Sequence, residues 1–493
     1  MSETASVRPA LTDLTASELA DGLRRRSFSC RELMQATVDR IHALNPIFNT
    51  IVNMAPVEKL LAEADAADAD LASGKVRGWL HGIPMAVKDF ADVVGFPTTK
   101  GCELLASNMP TSDSILTARM KAAGCIVIGK TTTPEFGLGS HTFSTLWGVT
   151  RNAWDPAVSA GGSSGGAAVS LAQRMLPVAD GSDGMGSLRN PAGWNHVFGM
   201  RPSQGRVPQA GMSDVWIDLL SNEGPMGRSI RDVGRLLTTQ SGFDPRSPLS
   251  MQMPLGWKEN EAVDPGILRG MRIGWLGDLG GHLAMETGVL DACREALRHL
   301  EAAGAVVEEV PLGFDPKQLW ECWLTWRRAG TGPRVGALMQ LPGAKEKIKP
   351  EAQWEYECSR GMSFTDFRQA SQVRTNYYQH MRTMLDQWDL LVLPSAQCWP
   401  FNAKERWPKQ IAGREMDTYH RWMESAIYAT LGGLPALVVP AGFHPNGRWP
   451  MGIQLIGPYG GDAKVLRAGA AYEQIRADFI AQRPTDRTPP NEA

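Results

Sequence analysis

Two kinds of spacing alternate along the chain. Leu33, Ala36, Ile41 and Leu44 recur at helical intervals, the apolar stripe by which a surface helix faces a core. Thr15-Ala16-Ser17-Glu18 and Ser29-Cys30-Arg31-Glu32 both have the order of a capping box, where hydroxyl and carboxylate satisfy opposite orphan N–H groups. Residues 13–75 are therefore expected to be helical, behind a flexible start at 1–12. From Gly82 the texture changes: the short apolar runs GIPMAV and GCIVIG flank the helical stretch SILTARMKAAG. The same order returns at MRIGWLG, a helix through Leu290 to Ala302, and AVVEEVPL. Further runs stand at DLLVLP, LPALVVP and MGIQLIG. Strands alternating with helices predict an α/β fold, a large mixed sheet covered by helices on both faces.

Nothing like a flexible linker divides these segments, so 13–480 is expected as one domain, with its central part at 80–240 and closing strands at 431–480. Residues 313–430 read as irregular and hold eight of the sixteen tryptophans, Trp320 through Trp422. Those rings either fill a core or wall a substrate pocket. The polar tail 481–493 is expected to be flexible.

Composition narrows the function more than the fold. Hydrophobic residues at 43% and charged residues at 21% are globular values. Fifty basic against 52 acidic residues leave no electrostatic case for nucleic acid or an anionic membrane as partner. No stretch approaches eighteen apolar residues, and the start lacks a secretory pattern. The seven cysteines form no C-x-x-C, which points to free thiols and a cytoplasmic protein. The nine histidines show no metal-binding spacing, and neither phosphate-cradling nor dinucleotide-binding glycine patterns occur. Neither metal nor cofactor is expected.

Two serine-glycine stretches remain. SAGGSSGGAAVS contains a literal G-x-S-x-G at Gly161, Ser163 and Gly165, but the preceding TRNAWDPAVSA is not the apolar strand a hydrolase elbow requires. The small, apolar AAVSLAQRML that follows reads as a buried helix, which argues against a linker. In GSDGMGSLRN the short strand LPVAD leads into glycines that end on Ser187. Consecutive small residues turn several N–H groups into one concavity suited to negative charge. A serine beside it has the arrangement acyl transfer demands, a nucleophile and an oxyanion hole at one carbonyl; a tight turn without chemistry is the alternative. His196, in NHVFG, has no orienting acid nearby in sequence. Lys88 ends the apolar run GIPMAVK, where burial would disfavour the ammonium and make the amine a base; a solvated surface lysine is the alternative.

In combination these elements resemble the amidase signature family. Seventy-five residues separate Lys88 from Ser163 and 24 separate Ser163 from Ser187. Supporting matches include GKTTTPEFG, GVTRNAWDP, FGMRPSQGRVP, EGPMGRS, LPALVVPAG and GIQLIG, over roughly residues 10 to 480. The resemblance implies that Ser187 attacks an amide carbonyl, that Ser163, on a cis peptide bond, relays the proton, and that Lys88 is the ultimate base. It implies an oxyanion hole from the N–H groups of Gly184, Met185, Gly186 and Ser187. Asp183, Arg189 and Ser164 would support the loop, while Asn190, Gly137 and Leu138 would touch substrate.

Met185 stands where the family habitually has glycine. If the position needs positive φ, Met185 is strained and Gly184 supplies the freedom; otherwise Met185 narrows the acyl pocket. Thr132 and Asn195-His196 also depart from the usual residues. The implied function is cofactor-free hydrolysis of a small to medium amide, with an aryl or bulky acyl group, to a carboxylic acid and an amine or ammonia. The only expected partner is that substrate, with a homodimer as one option. Carbamate or ester hydrolysis, a glutaminase-type subunit of a tRNA-dependent amidotransferase, and a non-catalytic binding protein stay open as alternatives.

Overall fold

The computed structural model describes residues 10–210, 214–218, 220–258 and 261–484. Most of the flexible start and tail expected at 1–12 and 481–493 therefore lies outside the described residues; Leu11–Asp13 form one 3₁₀ turn. Both capping boxes form. Thr15 accepts from the Glu18 N–H and Ser29 from the Glu32 N–H, and each glutamate returns a bond to the cap N–H at 2.7 Å. They open α1 (Ala16–Arg24) and α2 (Cys30–Phe48), which α3 (Val57–Ala72) follows.

The first β-α-β unit is β2 (Pro84–Lys88), α4 (Ile115–Ala122) and β3 (Ile126–Thr131), its strands parallel. With the short β1 (Ile51–Val52) it makes a separate three-stranded sheet in the order β1-β3-β2. Apart from two small two-stranded ribbons, the other strands are β4 (Val178–Asp183), β5 (Phe198–Arg201), β6 (Asn222–Gly227), β7 (Arg272–Trp275), β8 (Val306–Glu309), β9 (Leu390–Pro394), β10 (Ala436–Phe443) and β11 (Pro450–Ile456). They form an eight-stranded mixed sheet, β8-β7-β9-β11-β10-β5-β6-β4. Its helices include α5 (Gly165–Ala172), α6 (Arg189–Asn195), α7 (Ile230–Gln240), α8 (Val289–Ala302) and, near the end, the 462–475 helix. The second β-α-β unit, β7-α8-β8, is also parallel.

Adjacent residues of a strand point to opposite faces. Gln454 of β11, paired with Val438, bonds Arg189 of α6. Leu437, next to Val438, fills the space over Gly469 of the 462–475 helix, where a Cβ would lie 2.3 Å away. Helices therefore cover both faces of the sheet.

The segment 313–430 corrects the irregular reading. It holds α9 (Pro316–Leu338), α10 (Pro350–Ser359) and α11 (Phe364–Gln387) before β9. Trp320, Trp323, Trp399 and Trp422 are buried in the core. No helix among the described residues is long and apolar enough to cross a membrane.

Candidate active site

Lys88 is the last residue of β2 and is fully buried. Its backbone N–H donates to Asp180 of the neighbouring edge strand β4, at 3.2 Å to Oδ1. That contact directs the side chain across β4. Nζ donates to Ser163 Oγ at 2.8 Å, Ser164 Oγ at 2.9 Å and Ser182 Oγ at 3.0 Å. Asp180 and Ser182, two positions apart, share one face of β4. Neither stands out in the sequence, although period-two reading of the strand before the glycines puts both on Lys88's side.

Burial pulls the Lys88 pKa down from 10.5 to about 7; Asp180, Asp183 and Glu223 oppose the shift as nearby negative charges. Burial also raises Asp180 to about 6 and Glu223 to about 8. Burial thus favours the uncharged amine at neutral pH far more than water does, where only about one lysine in a few thousand is uncharged.

Ser163 starts the turn into α5, and the Gly162–Ser163 peptide bond is cis. No strand precedes this turn, in keeping with the rejected hydrolase elbow. The Ser164 N–H donates to the Ser187 carbonyl at 3.2 Å, tying the two serine loops together. Ser163 and Ser187 line the same cavity, of about 580 Å³.

The second loop is held by Asp183. Its carboxylate accepts Arg189 through both oxygens at 2.9 Å, the Gly186 N–H at 2.9 Å and the Leu188 N–H at 3.1 Å. Arg189 and Arg201 hold its pKa well below the usual carboxylate range against the opposing effect of burial. The Gly186 N–H is thus committed to Asp183, which removes it from the expected oxyanion hole. Gly184, Met185 and Ser187 border the cavity, and their N–H groups have no partner among the described residues. The left-handed conformation falls on Gly186, at φ 82°, and not on Gly184 or Met185. Met185 is therefore unstrained, and it lines the cavity.

Gly137 and Leu138 line the cavity as expected. Asn190 does not. Its position in the first turn of α6 turns the amide toward the 161–162 loop, where Oδ1 accepts the Gly162 N–H at 3.3 Å. Thr132 and Asn195 are likewise buried in backbone-bracing bonds, Thr132 Oγ1 to the Thr50 carbonyl at 3.3 Å and Asn195 to the Ala160 carbonyl at 2.8 Å. His196 bonds the Phe479 carbonyl, far from any reacting group, and burial lowers its pKa to about 4. Among the described residues no group of His, Cys, Asp and Glu could hold a metal ion.

The whole chain agrees with this site, in which a buried lysine is bonded to Ser163, Ser164 and Ser182. The Amidase family model matches residues 32–466. The chain belongs to the amidase signature family. It is 32% identical to an acylamidase of Rhodococcus erythropolis, over 96% of this chain and 97% of that protein. It is 31% identical to a glutamyl-tRNA(Gln) amidotransferase component, the A-type polypeptide of Thermosynechococcus vestitus, over 93% and 97%. Among solved structures, a bacterial aryl acylamidase of the amidase signature enzymes superposes with a TM-score of 0.86 at 28% identity, covering 96% of this chain and 99% of that one. The protein is an amidase.

Proposed function

We propose that Ser187 opens the amide bond of an apolar or aryl substrate, with Ser163 and Lys88 carrying the proton. The observation that supports this most directly is the 2.8 Å bond from a fully buried Lys88 to Ser163, beside the cavity that Ser187 borders. The Ser187 hydroxyl proton passes to Ser163 Oγ, whose own proton passes to uncharged Nζ. Oγ of Ser187 then bonds the carbonyl carbon. The oxyanion lies against the N–H groups of Gly184, Met185 and Ser187, each worth about 3 kcal/mol in the transition state. As the C–N bond breaks, the proton returns through Ser163 to the leaving nitrogen. Water repeats the cycle on the acyl-enzyme and releases the acid.

The cavity is walled by Phe90, Phe136, Leu138, Trp323, Trp326 and Met423, which suits an aryl or bulky acyl group. That lining weighs against glutamine, the substrate of the glutaminase-type reading, although relatives are named as glutamyl-tRNA(Gln) amidotransferase subunits. Carbamates and esters fit the same machinery. Seven free thiols, six of them buried, are consistent with a cytoplasmic enzyme.

The test is reaction with a fluorophosphonate followed by peptide mapping, alongside hydrolysis of anilides, aliphatic amides, carbamates and esters. Label on Ser187 and release of amine from anilides are expected. A folded protein that leaves Ser187 unlabelled would overturn the reading in favour of a binding scaffold.

A further inference from the structure

The apolar cavity carries four charged side chains, Lys100, Asp218, Arg327 and Arg334. Two of the three cations are already answered. Arg327 is bonded by the fully buried Glu355 and by Tyr419. Arg334 stands 3.7 Å from Asp218. Lys100 makes no ion pair among the described residues; its ammonium lies 5.3 Å from the centre of the Phe90 ring. The wall therefore holds one cation in excess. Burial lowers the Lys100 pKa, Asp92 and Asp89 opposing and Arg334 adding to the shift, the state of an ammonium short of a counter-ion.

Its placement relates it to the reacting atoms. A Cβ at Gly137 would lie 3.4 Å from Ser163 Oγ and 3.5 Å from the Phe90 ring, so about one methyl group separates that ring from Ser163. Lys100 sits over the same ring. A substrate running from Ser187 along Phe90 reaches the ammonium with its far end. The backbone holds the residue in place: Lys100 is left-handed at φ 50°, and its carbonyl accepts the Phe136 N–H at 2.8 Å.

The geometry points to Lys100 as an anion subsite, which makes the substrate class amides whose apolar body ends in a carboxylate. This rests on the amide-hydrolase reading for its reaction but not for its binding. Inside an apolar cavity a charge-assisted bond to a carboxylate is about twice as strong as a neutral one. A neutral substrate of the same shape would leave the ammonium buried and unpaired.

Calorimetric titration of the intact enzyme with 4-phenylbutanoate and 4-phenylbutan-1-ol tests the subsite without turnover. The wild type is expected to bind the carboxylate at least tenfold more tightly than the alcohol. Lys100→Met should bind the two equally, and Lys100→Arg should keep the preference, which separates charge from shape. Equal affinities in the wild type, or a preference that survives in Lys100→Met, would overturn the subsite. The second outcome would place the carboxylate at the oxyanion donors instead. An enzyme that hydrolyses neutral anilides but shows no such preference defeats the subsite alone. One that shows the preference but leaves Ser187 unlabelled defeats the reaction alone.

Discussion

Asp183 and Arg189 join through two parallel hydrogen bonds at 2.9 Å in a place where neither side chain reaches water. Arg201 approaches the same carboxylate at 3.4 Å. The pair fixes the turn that presents Ser187, since Asp183 also takes the Gly186 and Leu188 N–H groups. Breaking a buried ion pair by removing one partner costs about 3–5 kcal/mol, because the other charge stays buried. Asp183→Asn should therefore lower the urea midpoint and abolish most activity. Its folded pKa is depressed, so its contribution is present above the unfolded pKa and is lost only as pH falls through the folded one. The stability gap between wild type and Asp183→Asn should stay constant from pH 8 to pH 5. A gap that halves across that range would contradict the assignment.

In the proposed mechanism Lys88 acts in its uncharged form, so activity should rise with pH. With its pKa pulled down to about 7 by burial, kcat/KM should climb through neutrality and level above it. Lys88→Met should lose about 10²–10⁴-fold and the climbing limb with it. Lys88→Arg should not rescue, because a guanidinium stays protonated. Retention of more than a tenth of the activity in Lys88→Met would remove the lysine from the reaction. The check is a pH–rate series on one anilide.

Ser187→Ala should abolish turnover and fluorophosphonate labelling while shifting the melting temperature little, since it removes one oxygen at the cavity edge. A variant that still hydrolyses anilides at a measurable fraction of the wild-type rate would move the nucleophile elsewhere.

Gly186→Ala meets two obstacles. The backbone is left-handed there, and the new Cβ would lie 2.8 Å from the Ala426 Cβ. The conformational part alone costs about 1–2 kcal/mol. Activity should fall further than stability, because the turn carries the proposed oxyanion donors on both sides. Ala426→Gly in the same chain should recover the steric share and not the conformational one. Denaturant midpoints of the two single variants and the double variant measure both.

Met185→Gly should widen the cavity, because the Met185 side chain lines it. The ratio of kcat/KM for bulky over small acyl anilides is expected to rise several-fold. An unchanged ratio would mean that the side chain does not touch the acyl group.

Much of the architecture was legible because it depends on local pattern. The capping boxes at Thr15 and Ser29, both β-α-β units and the apolar runs of β9, β10 and β11 occur where spacing puts them. The helices of 313–430 were not legible, and α9 shows why. It turns Leu319 and Trp320 toward the core and Trp323, Trp326 and Arg334 toward the cavity, so apolar residues stand on more than one side. A helix buried on two faces has no single stripe to read. The site divides in the same way. Ser187, Ser163 and Lys88 are legible as residues, whereas Ser182, which also receives Lys88 Nζ, is in sequence one of many serines.

By itself the order of amino acids determined which residues can react, where the strands and capped helices begin, and which turn must contain glycine. All of these follow from covalent chemistry and from contacts within a few positions. Only the tertiary structure decided that Asp183 uses up the Gly186 N–H, that Asn190 braces a loop instead of facing the cavity, and that Lys100 makes no ion pair among the described residues. Each of these depends on groups far apart in the chain competing for the same donor or charge. Such competition is resolved only when burial removes water as the alternative partner.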